Sequence, residues 1–265
     1  MIIEIGAVSA LTGSVIGAMS IRRARHYRRL ATCLNKVKQT SRSWAMDISR
    51  LPAPSFANWI AAVPDFLAAE QLASLQREVQ ALSGAERSYV PNHKKGATVA
   101  YKTLIEYAPC VTAFYHSEAM AAYISSLTDV AVRPTPLHDQ SSLSILIYER
   151  SGDHIGWHYD HNFYRGRHFT ALLPVVNCGD AADGLSHARL RAMIGDTEAE
   201  LQTPPNTLIV FEGARVLHKA TPLVAGERRV LISMTYCSDA HANLAQAVAR
   251  RMKDTAYFGV RALWT

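Results

Sequence analysis

The sequence predicts a mainly β protein with flanking helices, in which an antiparallel sandwich or barrel occupies the second half of the chain. Between Ser142 and Ser238, short apolar runs alternate with turn residues, and no helical segment interrupts them. Such a series of strands is typical of antiparallel sandwiches and barrels. With 265 residues, 49% of them hydrophobic, the chain can bury a large core. Disordered, collagen-like and disulfide-framework classes are therefore excluded.

The individual elements follow from periodicity and turn residues. The predicted strands are Leu143–Tyr148, Ile155–Asp160, His168–Val176, Ala188–Ile194, Glu198–Gln202, Thr207–Phe211 and Val230–Tyr236. Gly195-Asp196 predicts a hairpin turn between two of them. Apolar residues at three- and four-residue intervals predict one helix after Asp65 and another from Ser117. A further amphipathic helix is expected over about residues 240–252.

The formal net charge of +6 is concentrated at the amino terminus. Residues 1–50 hold nine Lys or Arg against two acidic residues, which leaves nineteen basic against twenty acidic residues in the rest of the chain. The main body is thus close to neutral and carries no basic footprint for phosphates. No nucleic-acid partner is expected.

The amino-terminal segment combines an apolar run, Ile2 to Ile21, with an Arg-rich cluster directly after it. Twenty helical residues can span a bilayer, and a basic cluster on the carboxyl side would leave the rest of the chain in the cytoplasm. The alternatives are an amphipathic helix lying on a membrane, an organelle presequence and an ordinary soluble helix. Residues 2–29 are therefore a candidate membrane contact, and the catalytic domain is expected in the cytoplasm.

The chemistry is indicated by three residues with metal-binding side chains. In His158-Tyr159-Asp160 the imidazole and the carboxylate are two residues apart, so on a strand both leave the same face. His218 follows sixty residues later. Two histidines and one carboxylate form a facial triad that leaves adjacent positions open on an octahedral ferrous ion.

Arg228 stands ten residues after His218, at the start of an apolar strand. We expect it to face inward together with Val230 and Ile232, and strand alternation then directs Arg229 outward. A buried guanidinium needs an anion opposite it. A dicarboxylate that chelates the metal at one end and pairs with Arg228 at the other would meet that need.

These motifs resemble those of the iron(II)- and 2-oxoglutarate-dependent dioxygenase superfamily, in particular its prolyl-4-hydroxylase-like branch. The resemblance rests on H-x-D at His158 and Asp160, on H-x-x-x-P-x-x-x-G-x-R from His218 to Arg228, and on Tyr148-x-x-x-Gly152. It covers about residues 60–238 and is specific between 145 and 236.

The resemblance implies a double-stranded β-helix, or jelly-roll, core at about residues 142–238. It implies Fe(II) held by His158, Asp160 and His218, 2-oxoglutarate held by Arg228 with help from the Tyr148 hydroxyl, and O2 as the second cosubstrate. Similar halogenating enzymes carry a small non-ligating residue where Asp160 stands, so hydroxylation is expected. The domain prediction is an anchor or basic leader over 1–30, a linker over 31–62 and the dioxygenase domain over 63–265.

Three functions remain open. The first is hydroxylation of an unactivated C–H bond in a small or amphiphilic molecule, with release of succinate and CO2. The second is hydroxylation of prolyl or other side chains of a protein, which an open groove would favour. The third is a non-catalytic jelly-roll module that binds or senses a ligand.

Overall fold

The computed structural model describes residues 21–39, 44, 48–82, 85–90 and 93–258. The helices are α1 (residues 21–39), α2 (Ala69–Ala81), α3 (Tyr101–Tyr107), α4 (Pro109–Tyr115), α5 (Glu118–Thr128) and α6 (Leu244–Phe258), with a short 3-10 helix at Ile48–Arg50. The strands are β1 (Ile60–Val63), β2 (Glu86–Val90), β3 (Lys94–Val99), β4 (Arg133–Pro134), β5 (Leu143–Tyr148), β6 (His154–His158), β7 (His168–Cys178), β8 (Leu190–Ile194), β9 (Thr197–Leu201), β10 (Leu208–Glu212), β11 (His218–Ala220) and β12 (Arg228–Cys237).

The described strands form one antiparallel sheet that curls over on itself. Its path runs β1-β10-β7-β12-β5-β3-β6-β11-β8-β9, while β2 pairs with β3 and β4 pairs with β12. One half of the sheet therefore faces the other across an interior, as in a jelly roll. The predicted mainly β class with a double-stranded β-helix core is confirmed.

The outer face of the larger half-sheet is covered by helices. One apolar cluster joins Leu75 of α2 and Ile124 of α5 to Leu173 of β7 and Ile232 of β12. A second cluster lies between the two half-sheets and includes Leu172 and Leu231. Because neighbouring residues of β7 and β12 alternate between these clusters, both strands are buried on both faces.

The predicted elements agree well with the observed ones. β5 has its predicted bounds, and the other predicted strands are found within about two residues of theirs. β8 and β9 pair as a hairpin around Gly195, whose φ of 60° lies in the left-handed region that glycine adopts readily. Ser117 caps α5, with its hydroxyl oxygen accepting a hydrogen bond from the amide of Met120 at 3.2 Å.

Much of the stretch predicted as a linker, 31–62, packs against the rest of the described structure. Leu34 and Val37 of α1 are buried in the helical cluster, together with Trp44. β1 pairs in register with β10 at the edge of the sheet. Pro52 and Pro54 are typical of an irregular connection. The apolar residues of α1, in contrast, recur at helical intervals and are buried in the core.

The predicted anchor falls mainly on residues 1–20, which lie outside the described residues. Within the ranges that the structure describes, no helix is both long enough and apolar enough to cross a membrane.

Candidate active site

The structure brings His158, Asp160 and His218 together between the two half-sheets. His158 ends β6 and His218 begins β11, and these two residues are paired across the neighbouring strands. The Oδ1 atom of Asp160 lies 3.5 Å from Nε2 of His158 and 3.9 Å from Nε2 of His218. One ligand atom from each residue thus falls within 4.8 Å of the others. This spacing suits a single metal ion.

Backbone carbonyls orient both imidazoles. Nδ1 of His158 donates to the carbonyl of Gly156 at 2.8 Å, and Nδ1 of His218 donates to the carbonyl of Val216 at 3.0 Å. Because the proton is held on Nδ1, the lone pair of Nε2 remains free to bind a metal.

The Asp160 carboxylate is held just as firmly. Its Oδ2 accepts a hydrogen bond from the Thr170 hydroxyl at 2.5 Å, and its amide donates to the carbonyl of Gly213 at 3.0 Å. A Cβ atom on residue 213 would lie 2.6 Å from Cβ of Asp160, so this close approach requires glycine. Oδ1 is thereby left facing the two histidines.

The protonation states of Asp160 and His218 also suit a metal centre, whereas burial lowers the pKa of His158 but the Asp160 carboxylate outweighs burial and raises it. Burial raises the pKa of Asp160, but the adjacent imidazoles of His158 and His218 outweigh burial and hold that pKa well below its usual range. Burial lowers the pKa of His218. An ionised carboxylate beside a neutral imidazole is the form in which these groups bind metals.

A cavity of about 630 Å³ opens beside the triad. Both half-sheets line it, and α6 contributes Met252, Lys253, Tyr257 and Phe258. Its size is within the range of sites that enclose small ligands.

The predicted orientations of Arg228 and Arg229 are wrong. Arg229 is 1% exposed and lines the cavity with Leu231 on the same face of β12, whereas Arg228 is half-buried and does not line it. The face predicted to point inward, with Val230 and Ile232, packs instead against the helices. Since both faces of β12 are buried, hydrophobicity alone does not tell which face lines the cavity.

Tyr148 lies beside Arg229 in the cavity. The guanidinium carbon of Arg229 is 5.8 Å from the centre of the Tyr148 ring. Burial raises the pKa of Tyr148 to about 12, so its hydroxyl remains a hydrogen-bond donor at neutral pH. Nη2 of Arg229 donates to the Thr203 hydroxyl at 3.4 Å, but Nε of Arg229 has no hydrogen-bond partner among the described residues.

The cavity also contains polar residues that the sequence analysis did not identify. Lys94, Asp139, His168 and Lys253 all line it. His168 is buried, and its Nδ1 has no partner within the described parts of the chain. Nothing in their spacing marks these residues, because they come from separate elements that meet only in the folded chain. Two further histidines lie close to the H-x-D motif in sequence, and of these His161 lines the cavity whereas His154 does not.

The curled sheet and the grouped triad define the class of protein as the iron(II)- and 2-oxoglutarate-dependent oxygenase superfamily. The predicted superfamily is thus confirmed. More narrowly, the model of the family described as Halogenase D (HalD) matches residues 53–257, and the chain belongs to this family.

Solved structures share the fold at low sequence identity. The epimerase SnoN from nogalamycin biosynthesis superimposes with a TM-score of 0.58 at 16% identity, covering 72% of this chain and 80% of its own. An oxidoreductase of the 2OG-Fe(II) oxygenase family from Burkholderia pseudomallei gives 0.53 at 14%, covering 71% and 89%. A prolyl hydroxylase from Trichoplax adhaerens gives 0.50 at 14%, covering 77% and 92%. No curated protein matches the chain.

Proposed function

We propose that the protein is an Fe(II)- and 2-oxoglutarate-dependent dioxygenase that hydroxylates a C–H bond of a small molecule. The observation that carries this proposal is the placement of a buried arginine, Arg229, in the same cavity as His158, Asp160 and His218. The triad supplies a metal site, and the arginine supplies a separate site for an anion.

The donor set fits ferrous iron. Two Nε2 atoms and one carboxylate oxygen occupy one face of an octahedral ion and leave three adjacent positions free. When bound, iron(II) with 2-oxoglutarate and O2 would supply the oxidising power needed to cleave an unactivated C–H bond, with release of succinate and CO2.

Arg229 is the proposed partner of the far carboxylate of 2-oxoglutarate, in place of Arg228. Burying a guanidinium without an anion is costly, and Nε of Arg229 has no other partner among the described residues. The fork of N–H groups on a guanidinium matches a carboxylate. The Tyr148 hydroxyl is the proposed second donor to the same carboxylate.

Asp160 favours hydroxylation over halogenation. A halide needs a free coordination position where the carboxylate stands, yet Thr170 and Gly213 fix Asp160 with Oδ1 facing both histidines. The proposal therefore assigns hydroxylation to this member of a family described as Halogenase D.

The cover that α6 forms over part of the cavity supports a small molecule as substrate. α6 lies along the cavity, and the Tyr257 hydroxyl of α6 is hydrogen-bonded to Nε2 of His93, which also lines the cavity, at 3.0 Å. A polypeptide would need an open groove at this position.

The test is succinate formation from 2-oxoglutarate by the full chain reconstituted with iron(II) without oxygen and then exposed to air. We expect succinate from the wild type, a loss of about a hundredfold or more in His158→Ala, and little change in His154→Ala, whose side chain is outside the cavity. Mass spectrometry of products, with chloride present, distinguishes addition of an oxygen atom from replacement of hydrogen by chlorine. Iron binding without any succinate would instead support the non-catalytic module.

A further inference from the structure

Lys94 is a buried lysine whose charge has no carboxylate partner in the described structure. It lies at the start of β3, is 4% exposed and lines the cavity that contains the iron triad. Its ammonium group donates to the Thr98 hydroxyl at 3.1 Å and lies 4.5 Å from the centre of the Tyr257 ring. Within the described parts of the chain it forms no ion pair.

In contrast, the charge of Lys253, the other lysine that lines the cavity, is balanced by carboxylates of the protein. Its Nζ lies 3.2 Å from a carboxylate oxygen of Asp139 and 3.2 Å from one of Asp254. Asp254 is also paired with Arg250 at 3.6 Å. The charges around α6 therefore cancel within the protein, whereas the charge of Lys94 does not.

The same imbalance remains when the cavity is filled as proposed above. The charges of iron(II), Asp160, Arg229 and the 2-oxoglutarate dianion sum to zero. Lys94 is then the remaining uncompensated charge among the cavity-lining residues. Burial, with a further contribution from Lys253, lowers the pKa of Lys94 to about 8, which still leaves it mostly protonated at neutral pH. An uncompensated charge in such a site costs free energy unless a ligand supplies the opposite charge.

We propose that Lys94 binds the carboxylate of the substrate, which makes the substrate class a small monocarboxylic acid. This inference rests on the proposed oxygenase function and deepens it. A single charge suits the single cation. A phosphate dianion would leave one negative charge buried, and one ammonium group, already shared between Thr98 and Tyr257, supplies too few donors for it.

The alternative is a purely structural lysine, stabilised by the Tyr257 ring and the Thr98 hydroxyl. The two roles predict opposite effects on the protein without substrate. Replacing a binding cation with an apolar side chain of similar length removes an uncompensated buried charge, so Lys94→Met should raise the melting temperature. Replacing a structural lysine should lower it, because the contact with Tyr257 and the bond to Thr98 would be lost.

The experiment uses the full chain and three variants. Lys94→Met removes the charge, Lys94→Arg keeps it, and Lys95→Met is the matched control, since Lys95 is adjacent on β3 but its Nζ donates to the carbonyl of Ser151 outside the cavity. Binding of iron(II) and 2-oxoglutarate is first measured without oxygen in each protein. The probes are aliphatic and aromatic carboxylic acids, with and without an α-amino group, each matched with its primary amide, and methyl phosphate. Affinity is read from the shift in melting temperature and from the change in the visible absorption of the iron–2-oxoglutarate complex.

We expect the wild type and Lys95→Met to bind at least one acid about tenfold or more tightly than its amide. Lys94→Met should lose that preference while still binding iron and 2-oxoglutarate, and Lys94→Arg should retain part of it. The inference is overturned if no acid is preferred over its amide, if Lys94→Met keeps the preference, if Lys94→Met is less stable than the wild type, or if methyl phosphate binds best. Failure of the wild type to bind iron with 2-oxoglutarate would instead contradict the proposed function.

Discussion

Two oxygens of one carboxylate have separate tasks at Asp160. Oδ2 accepts a hydrogen bond from the Thr170 hydroxyl, and Oδ1 faces the two imidazoles. Thr170 comes from β7, so an element outside both motifs holds the short H-x-D motif in place. Groups that orient a metal ligand in this way contribute to metal affinity without touching the metal.

Thr170→Val should therefore weaken iron(II) binding about tenfold, because it removes the donor to Oδ2 at nearly constant side-chain volume. The measurement is iron(II) titration without oxygen. Thr170→Ser keeps the hydroxyl and should restore most of the affinity. Equal iron affinity in Thr170→Val and the wild type would contradict this role.

The neighbouring arginines of β12 provide a second test at the residue scale. Arg229→Leu should weaken binding of 2-oxoglutarate to the iron-loaded protein about thirtyfold or more, since a buried charge pair is lost. Arg228→Leu, a matched change one residue earlier and outside the cavity, should leave that affinity nearly unchanged.

Titration of 2-oxoglutarate, followed by visible absorption, checks both variants, and circular dichroism checks their folding. If Arg228→Leu weakened the binding of 2-oxoglutarate more than Arg229→Leu did, Arg228 would be the residue that binds its far carboxylate.

At the scale of elements, α6 has an unusual distribution of residues. Its buried residues include Arg250 and Asp254, whereas Leu244, Val248 and Met252 are exposed. The helix is thus held over the cavity mainly by polar contacts, such as those of Lys253 with Asp139 and Asp254. Hydrophobic patterning places the apolar face of a helix inward, and here the ion pairs decide otherwise.

Lys253→Met should lower the free energy of unfolding by about 3 kcal/mol, because two buried carboxylates lose their shared cation. Arg251→Met, an exposed charge on the same helix, should change it by less than about 0.5 kcal/mol. Urea unfolding compares the two variants with the wild type. Similar small effects would show that the ion pairs do not hold α6.

At the scale of the whole molecule, stability depends on the helical layer that covers the sheet. His116, after α4, has Nε2 2.5 Å from the Tyr101 hydroxyl of α3. Burial, with a smaller contribution from Lys38, lowers the pKa of His116 to about 3. The unfolded chain, with a histidine pKa of about 6.5, therefore binds this proton more readily than the folded chain does.

The free energy of unfolding should consequently fall as the pH decreases from about 6.5 towards about 3, by at most about 1.4 kcal/mol per pH unit from this group. His116→Gln lacks the titration and should show a shallower slope in urea unfolding measured across that range. His138, whose pKa burial and Arg250 lower to about 4, adds a residual slope in the same direction. An unchanged slope in His116→Gln would contradict the assignment.

The motif residues show which features of the fold and the site can be predicted from local sequence pattern. A two-residue spacing on a strand fixes the relative directions of His158 and Asp160 whatever the fold, and alternation with turn residues identifies the strands of the core. β1, β2 and β3 are not predicted because their apolar patterns are short or mixed, and β1 and β3 also pair with strands that are far away in sequence. β4 and β11 have only two and three residues, which is too short for a pattern. Helices α3 and α4 are only seven residues each, so they show too few turns for periodicity.

The sequence by itself determined the superfamily, the β class and the three candidate metal ligands, because these depend on residue type and short-range spacing. Only the tertiary structure decided which arginine enters the cavity, because both faces of β12 are buried and carry similar apolar residues. It also decided that Thr170 supports Asp160 and that Lys94 lies in the same cavity as the triad. These residues come from parts of the chain that are distant in sequence, and the curl of the sheet brings them together.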